Sequence, residues 1–106
     1  MQNSKRLNEI KSIVKNYKKS LEKDGFSIEE IFLYGSYAKG TQKTYSDIDV
    51  CVVSDKFYNY KDKQETLLWQ KALEIDPRIE PVGYYPTSFK EPDPLVYEVK
   101  KYGIKI

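Results

Sequence analysis

The chain has 106 residues, 40% hydrophobic and 32% charged, with a formal net charge of +2. That length fits one domain, residues 1–106, with one modest core and little room for a separate acceptor-binding domain, and the composition argues against disorder. The lone cysteine, Cys51, cannot form an internal disulfide, and the absence of histidine excludes Ser-His-Asp and Cys-His triads and imidazole zinc sites, leaving carboxylates and oxygen-seeking metals as catalytic equipment.

The charge is unevenly spread: residues 1–23 hold seven Lys or Arg against two Glu, so the rest of the chain is net negative. A solvated helix face accounts for this, and an acidic partner surface is the next reading; the overall balance does not make nucleic acid a first choice of partner. No apolar run approaches the roughly 20 residues of a membrane span, and the first residues are polar rather than those of a signal peptide, so no membrane is expected and the expected compartment is the cytoplasm.

From Ser4 to about Lys23 the apolar residues Leu7, Ile10, Val14, Tyr17 and Leu21 recur at steps of three and four, the stripe of an amphipathic helix, and Gly25 stops it. Ile28 to Tyr34 reads as a central strand ending at Gly35. Asp47 to Val53 reads as a second strand, with Cys51 a small buried hydrophobe and the stretch from Ser54 to Tyr60 a connection. A second helix is expected from about Asp62 to Glu74, with Leu67, Leu68, Trp69 and Ala72 packed inward and Asp76-Pro77 at its end. Arg78 to Tyr84 is a strand whose Pro81 suits an edge better than a sheet centre. Pro86, Pro92 and Pro94 mark a loop, Leu95 to Tyr102 a short helix, and Gly103 to Ile106 a terminal strand.

The chemistry concentrates between the first two strands. Gly35-Ser36 is followed by ten residues and then Asp47-Ile48-Asp49. Gly35 lets backbone approach a phosphate, Ser36 can cap a following helix and offer its hydroxyl and N–H to phosphate oxygens, and Gly40 allows another sharp turn. Strand alternation puts Asp47 and Asp49 on one face, about 7 Å apart, where they can converge on Mg²⁺ or bridge a pair of ions for in-line nucleotidyl displacement; Ile48 and Val50 face the core. Taken singly, each feature has a plain structural explanation, a helix cap or a solvated strand-start Asp. Joined at this spacing they are specific.

The stretch GSYAKGTQKTYSDIDVCVV resembles the nucleotidyltransferase superfamily of DNA polymerase beta, most closely its minimal nucleotidyltransferase (MNT) members. The resemblance implies an α/β (α+β) fold, a small mixed sheet flanked by helices. It implies that Gly35 and Ser36 hold triphosphate oxygens, with Ser46 and Lys39 also on the nucleotide side, and that Asp47 and Asp49 ligate Mg²⁺, two ions in all, with ATP as donor; Lys39 or Lys43 can neutralise phosphate charge, a solvated loop lysine being the alternative. A third carboxylate is expected on the next strand, and Glu80 matches it. The chain departs from the commonest pattern at Tyr37, where many relatives have arginine, and in having Glu rather than Asp as the third acid.

By the same resemblance the activity is Mg-dependent transfer of AMP from ATP to a hydroxyl, most directly a tyrosine of a HEPN-family toxin, with this chain the antitoxin. Transfer to a small hydroxylated molecule such as an aminoglycoside is the alternative within enzymes. A non-catalytic module that masks its partner is the alternative outside them, and the ten tyrosines suit interfaces, a homo-oligomer included.

Overall fold

A computed structural model describes residues 2–58 and 61–106; the side chains of residues 2–4 and 61 are outside the description. The sequence periodicity becomes helix α1, Gln2–Lys23. Ile10, Val14, Tyr17 and Leu21 are buried on one stripe. The helix ends where Gly25 takes φ 96°, with Gly25 N–H donating to Glu22 O and Phe26 N–H to Leu21 O. That pair of bonds satisfies two of the terminal carbonyls and is open to glycine because it has no Cβ to clash.

Strand β1, Ile28–Tyr34, follows, then a single turn of helix α2, Ser36–Lys39, and strand β2, Ile48–Ser54. Helix α3, Lys61–Ile75, returns the chain to strand β3, Ile79–Tyr84; helix α4, Pro94–Tyr102, precedes the short strand β4, Ile104–Lys105. The sheet order is β3-β2-β1-β4. β1 is antiparallel to β2 and β4, and β2 is parallel to β3, the crossover through α3 making that direction possible. β1 is interior and β3, with its proline, lies at an edge, as the sequence predicts.

Alternation along β2 sorts two cores. Ile48, Val50 and Val52 join the residues of α1 and α3 on one face. Cys51 and Val53 meet Phe89, Val96 and Val99 on the other, under α4. Burial raises the Cys51 thiol to about 12, so it is a packed, inert group. Tyr17 ties the first layer together, its hydroxyl donating to Leu68 O at 2.8 Å.

Four details differ from the sequence reading. Asp47 stands just before β2 rather than in it, since the ladder begins with Ile48 opposite Ile79. Ser54 is the buried last residue of β2 and not part of the connection: its hydroxyl donates to Ser27 O and accepts from Lys56 N–H, starting a 3-10 turn over Asp55–Phe57. The remainder of that connection at Asn59 and Tyr60 lies outside the described residues. Pro94 is the first residue of α4, where its missing N–H has no partner to lose, and Asp93 accepts from Leu95 and Val96 N–H to cap the helix.

Trp69 is the fourth. It is 46% exposed, whereas Leu68 and Ala72 are buried. Consecutive helical residues diverge by about 100°, so Leu68 and Ala72 at i and i+4 set the inner face and Trp69 turns outward. Trp69→Ala should therefore cost about 1 kcal/mol or less in a urea melt, against the roughly 3–5 kcal/mol typical of a buried tryptophan; a loss in the upper range would place the indole in the core.

Candidate active site

The site is built at one end of the three longer strands. Tyr34, the last residue of β1, pairs with Asp49 of β2, and Asp49 pairs with Glu80 of β3. Register partners on adjacent strands share a face at a spacing of about 4.8 Å, so a single row reads Tyr34, Asp49, Glu80. Asp49 begins the row that continues inward as Cys51 and Val53, which explains its half-buried state.

That placement has an electrostatic consequence. The Asp49 carboxyl is raised from 3.8 to about 6, first by burial and then by the charges of Glu80, Asp47 and Glu98. Glu80, although exposed, is also raised, by loss of hydration, by the charge of Asp47 and by a side-chain hydrogen bond with Asp47. Tyr34 is raised by burial and then by Asp49. Two carboxylates can meet in a hydrogen bond only if one of them holds a proton, and three acidic groups acting on a fourth, Asp49, call for positive charge.

Oxygen donors of this kind fit a hard divalent cation such as Mg²⁺. Among the described residues no three acidic or cysteine side chains already stand as a closed ligand set. Asp47, Asp49 and Glu80 are nonetheless the groups that the fold gathers.

Gly35 is the second half of the site. It precedes α2 with φ 74° and ψ −148°, and its α-carbon lies so close to Asp49 that a Cβ would overlap the carboxylate oxygen Oδ2. The phosphate-type turn and the carboxylate are thus in contact. Ser36 is inside α2 rather than capping it: Gly35 takes the cap position and no side chain closes the helix end. A residue with helical backbone angles cannot fold its hydroxyl back over the first turn as a cap does, which leaves the Ser36 hydroxyl free of that task.

Ser46 shapes the loop instead of reaching across it. Its hydroxyl accepts from Lys43 N–H at 2.7 Å, and its own N–H donates to Lys43 O. Tyr37 is 2% exposed and belongs to the core with Ile48 and Val50, on the sheet face opposite Asp49. Its buried hydroxyl lies beside Arg78 without a well-formed hydrogen bond. Arg78 itself grips Asp76 through Nε and Nη2. Tyr37 therefore supplies packing, and Lys39, the cation of α2, pairs with the Glu98 carboxylate.

Two groups were missed by sequence reasoning. Tyr34 was legible in principle, because alternation with buried Ile31 and Leu33 puts it on Asp49's face once the register is known. Glu98 had no sequence signal; it arrives through the docking of α4.

The profile of the family described as the nucleotidyltransferase domain matches residues 7–106. The chain belongs to that family. It is 30% identical over 103 residues to the Methanocaldococcus jannaschii protein named "Putative protein adenylyltransferase MJ0141", covering 92% of this chain and 99% of that one. It is 37% identical over 76 residues to "Protein adenylyltransferase MntA" of Thermococcus cleftensis, covering 66% of this chain and 73% of the relative. A crystal structure of a toxin-antitoxin with AMP-PNP superposes with a TM-score of 0.58 at 27% identity, over 85% of this chain and 69% of that one. The expected enzyme class, a nucleotidyltransferase, and the expected α/β fold with a mixed sheet both stand. Among the described residues no helix is long and apolar enough to cross a membrane.

Proposed function

We propose that this nucleotidyltransferase acts as one domain, residues 1–106, that transfers AMP from ATP to a tyrosine hydroxyl of a partner HEPN-family toxin, in the cytoplasm, as the antitoxin of the pair. The observation that carries the reading is the row Tyr34, Asp49, Glu80 with Gly35 packed against its middle member. Phosphate approach and carboxylates meet at one point there. The relatives named protein adenylyltransferases and the toxin-antitoxin neighbour with AMP-PNP support the choice of donor and of a protein acceptor.

Asp47, Asp49 and Glu80 would hold Mg²⁺, which when bound supplies charge neutralisation for the triphosphate and its leaving group. Gly35 admits the phosphate chain to backbone distance, Ser36 offers its hydroxyl and N–H to phosphate oxygens, and Lys39 adds positive charge. Ser46, through its bonds to Lys43, holds the loop that delivers Asp47. The acceptor oxygen forms a bond to the α-phosphorus while the bond from that phosphorus to the bridging oxygen breaks, and pyrophosphate departs with the electron pair. The hydroxyl proton passes to Glu80, the exposed carboxylate of the row and the one open to an incoming acceptor. No covalent enzyme intermediate is needed; positioning and electrostatics supply the rate.

Incubation with α-labelled ATP, Mg²⁺ and a co-encoded HEPN protein should put label on that protein, and Glu80→Gln should slow the transfer by about 10²-fold or more. Label transferred only to small hydroxylated acceptors would redirect the reading to the small-molecule alternative. Tight complex formation without label would favour a masking module.

A further inference from the structure

Lys39 is the last residue of α2, three positions after Ser36, and Gly40 ends the helix behind it in a left-handed conformation, φ 74° and ψ 20°. Its ammonium has partners. Nζ donates to Glu98 Oε1 at 3.0 Å and lies 5.3 Å from the centre of the Tyr102 ring. Glu98 and Tyr102 stand at i and i+4 on α4, hence one above the other on the same helix face. That face is fixed in place, because Asp93 caps the helix and Val96 and Val99 are buried against the sheet. Glu98 is also one of the groups whose charge acts on Asp49. The contact therefore ties the helix that follows Gly35 to a carboxylate whose charge reaches Asp49.

We propose that Glu98 is a positioning residue of the nucleotide site: it is the resting partner of Lys39, and an incoming triphosphate takes the lysine from it. The inference rests on the nucleotide-transfer reading above. Each side chain of the pair is about one-third exposed, 35% for Lys39 and 33% for Glu98, so the bond is weak enough to exchange. Triphosphate oxygens carry more negative charge than one carboxylate and are stronger acceptors for an ammonium. The exchange costs the Lys39–Glu98 bond and leaves a carboxylate beside an anionic ligand. Both costs disappear when Glu98 is made neutral.

Calorimetric titration with AMP-PNP and Mg²⁺ reads this directly, without turnover. Glu98→Gln should tighten binding about two- to fivefold, the range open to a partly exposed ion pair. Lys39→Met should weaken it by about three- to tenfold. In the double variant the gain from Glu98→Gln should shrink, because the part of it that runs through the lysine is gone and only the charge repulsion remains to be relieved. Unchanged or weaker binding by Glu98→Gln overturns the proposal, as does an equal gain with and without Lys39, which would reduce Glu98 to a diffuse charge. A wild-type protein that does not bind AMP-PNP at all would remove the nucleotide reading itself, and this proposal with it.

Discussion

Asp49→Asn should abolish AMP transfer, by about 10²-fold or more, and at the same time stabilise the unliganded protein at neutral pH. The two effects have one cause. Asp49 is a carboxylate in a row that otherwise runs into an apolar core, surrounded by Glu80, Asp47 and Glu98, and its carboxyl is raised from 3.8 to about 6. A folded-state value above the unfolded one means that the native state binds the proton more tightly. Its contribution to stability is full below about pH 4 and is lost as pH rises through about 6. At pH 7.5 the charged group costs the fold about 1–2 kcal/mol, after discounting the full shift for a half-buried, partly screened site.

Thermal melts at pH 5 and 7.5 therefore separate the variant from the wild type. The wild type should gain stability relative to Asp49→Asn on acidification, and the variant should melt higher at pH 7.5. Asp47→Asn, at an exposed position, should share the loss of transfer with little change in melting. Full transfer activity in Asp49→Asn would remove it from the catalytic role, whatever the melts show.

This double character explains which parts of the molecule could be read from the sequence. α1 and β2 were legible because burial leaves a period: Ile10, Val14, Tyr17 and Leu21 on a helix, and Ile48, Val50 and Val52 on a strand, each mark the face turned to one core. Asp49 was legible for a different reason, its spacing from Asp47 and from Gly35-Ser36, while the second core that its row runs into, Cys51 and Val53 under α4, shows only in the fold. The run Leu67-Leu68-Trp69 misled because apolar character alone does not say which of three neighbouring residues points inward; the geometry of α3 against α1 and β3 decided for Leu68. Glu98 could not be found at all. It lies 49 positions from Asp49 in sequence, on a helix whose docking depends on Val96 and Val99 meeting Cys51 and Val53, a tertiary fact with no local signature.

Gly35→Ala should be the most damaging single-methyl change in the chain, costing about 2–4 kcal/mol and eliminating transfer. Backbone angles of φ 74° and ψ −148° belong to a region essentially closed to residues with a Cβ. The added methyl would also overlap Asp49 Oδ2 and stand 3.0 Å from its Cγ, a contact tighter than side chains tolerate. Relief requires the carboxylate to rotate away, or the β1–α2 turn to open and move away from Asp49. Either movement separates the two halves of the site. Gly40→Ala is the matched control: φ is also 74°, but ψ is 20° and nothing lies within 4 Å of the new carbon. That left-handed conformation costs alanine about 1–2 kcal/mol and leaves the carboxylates alone, so most of the transfer activity should remain. Urea melts and transfer rates measured side by side test the distinction, and equal losses at the two glycines would mean that backbone strain, not contact with Asp49, is what Gly35 provides.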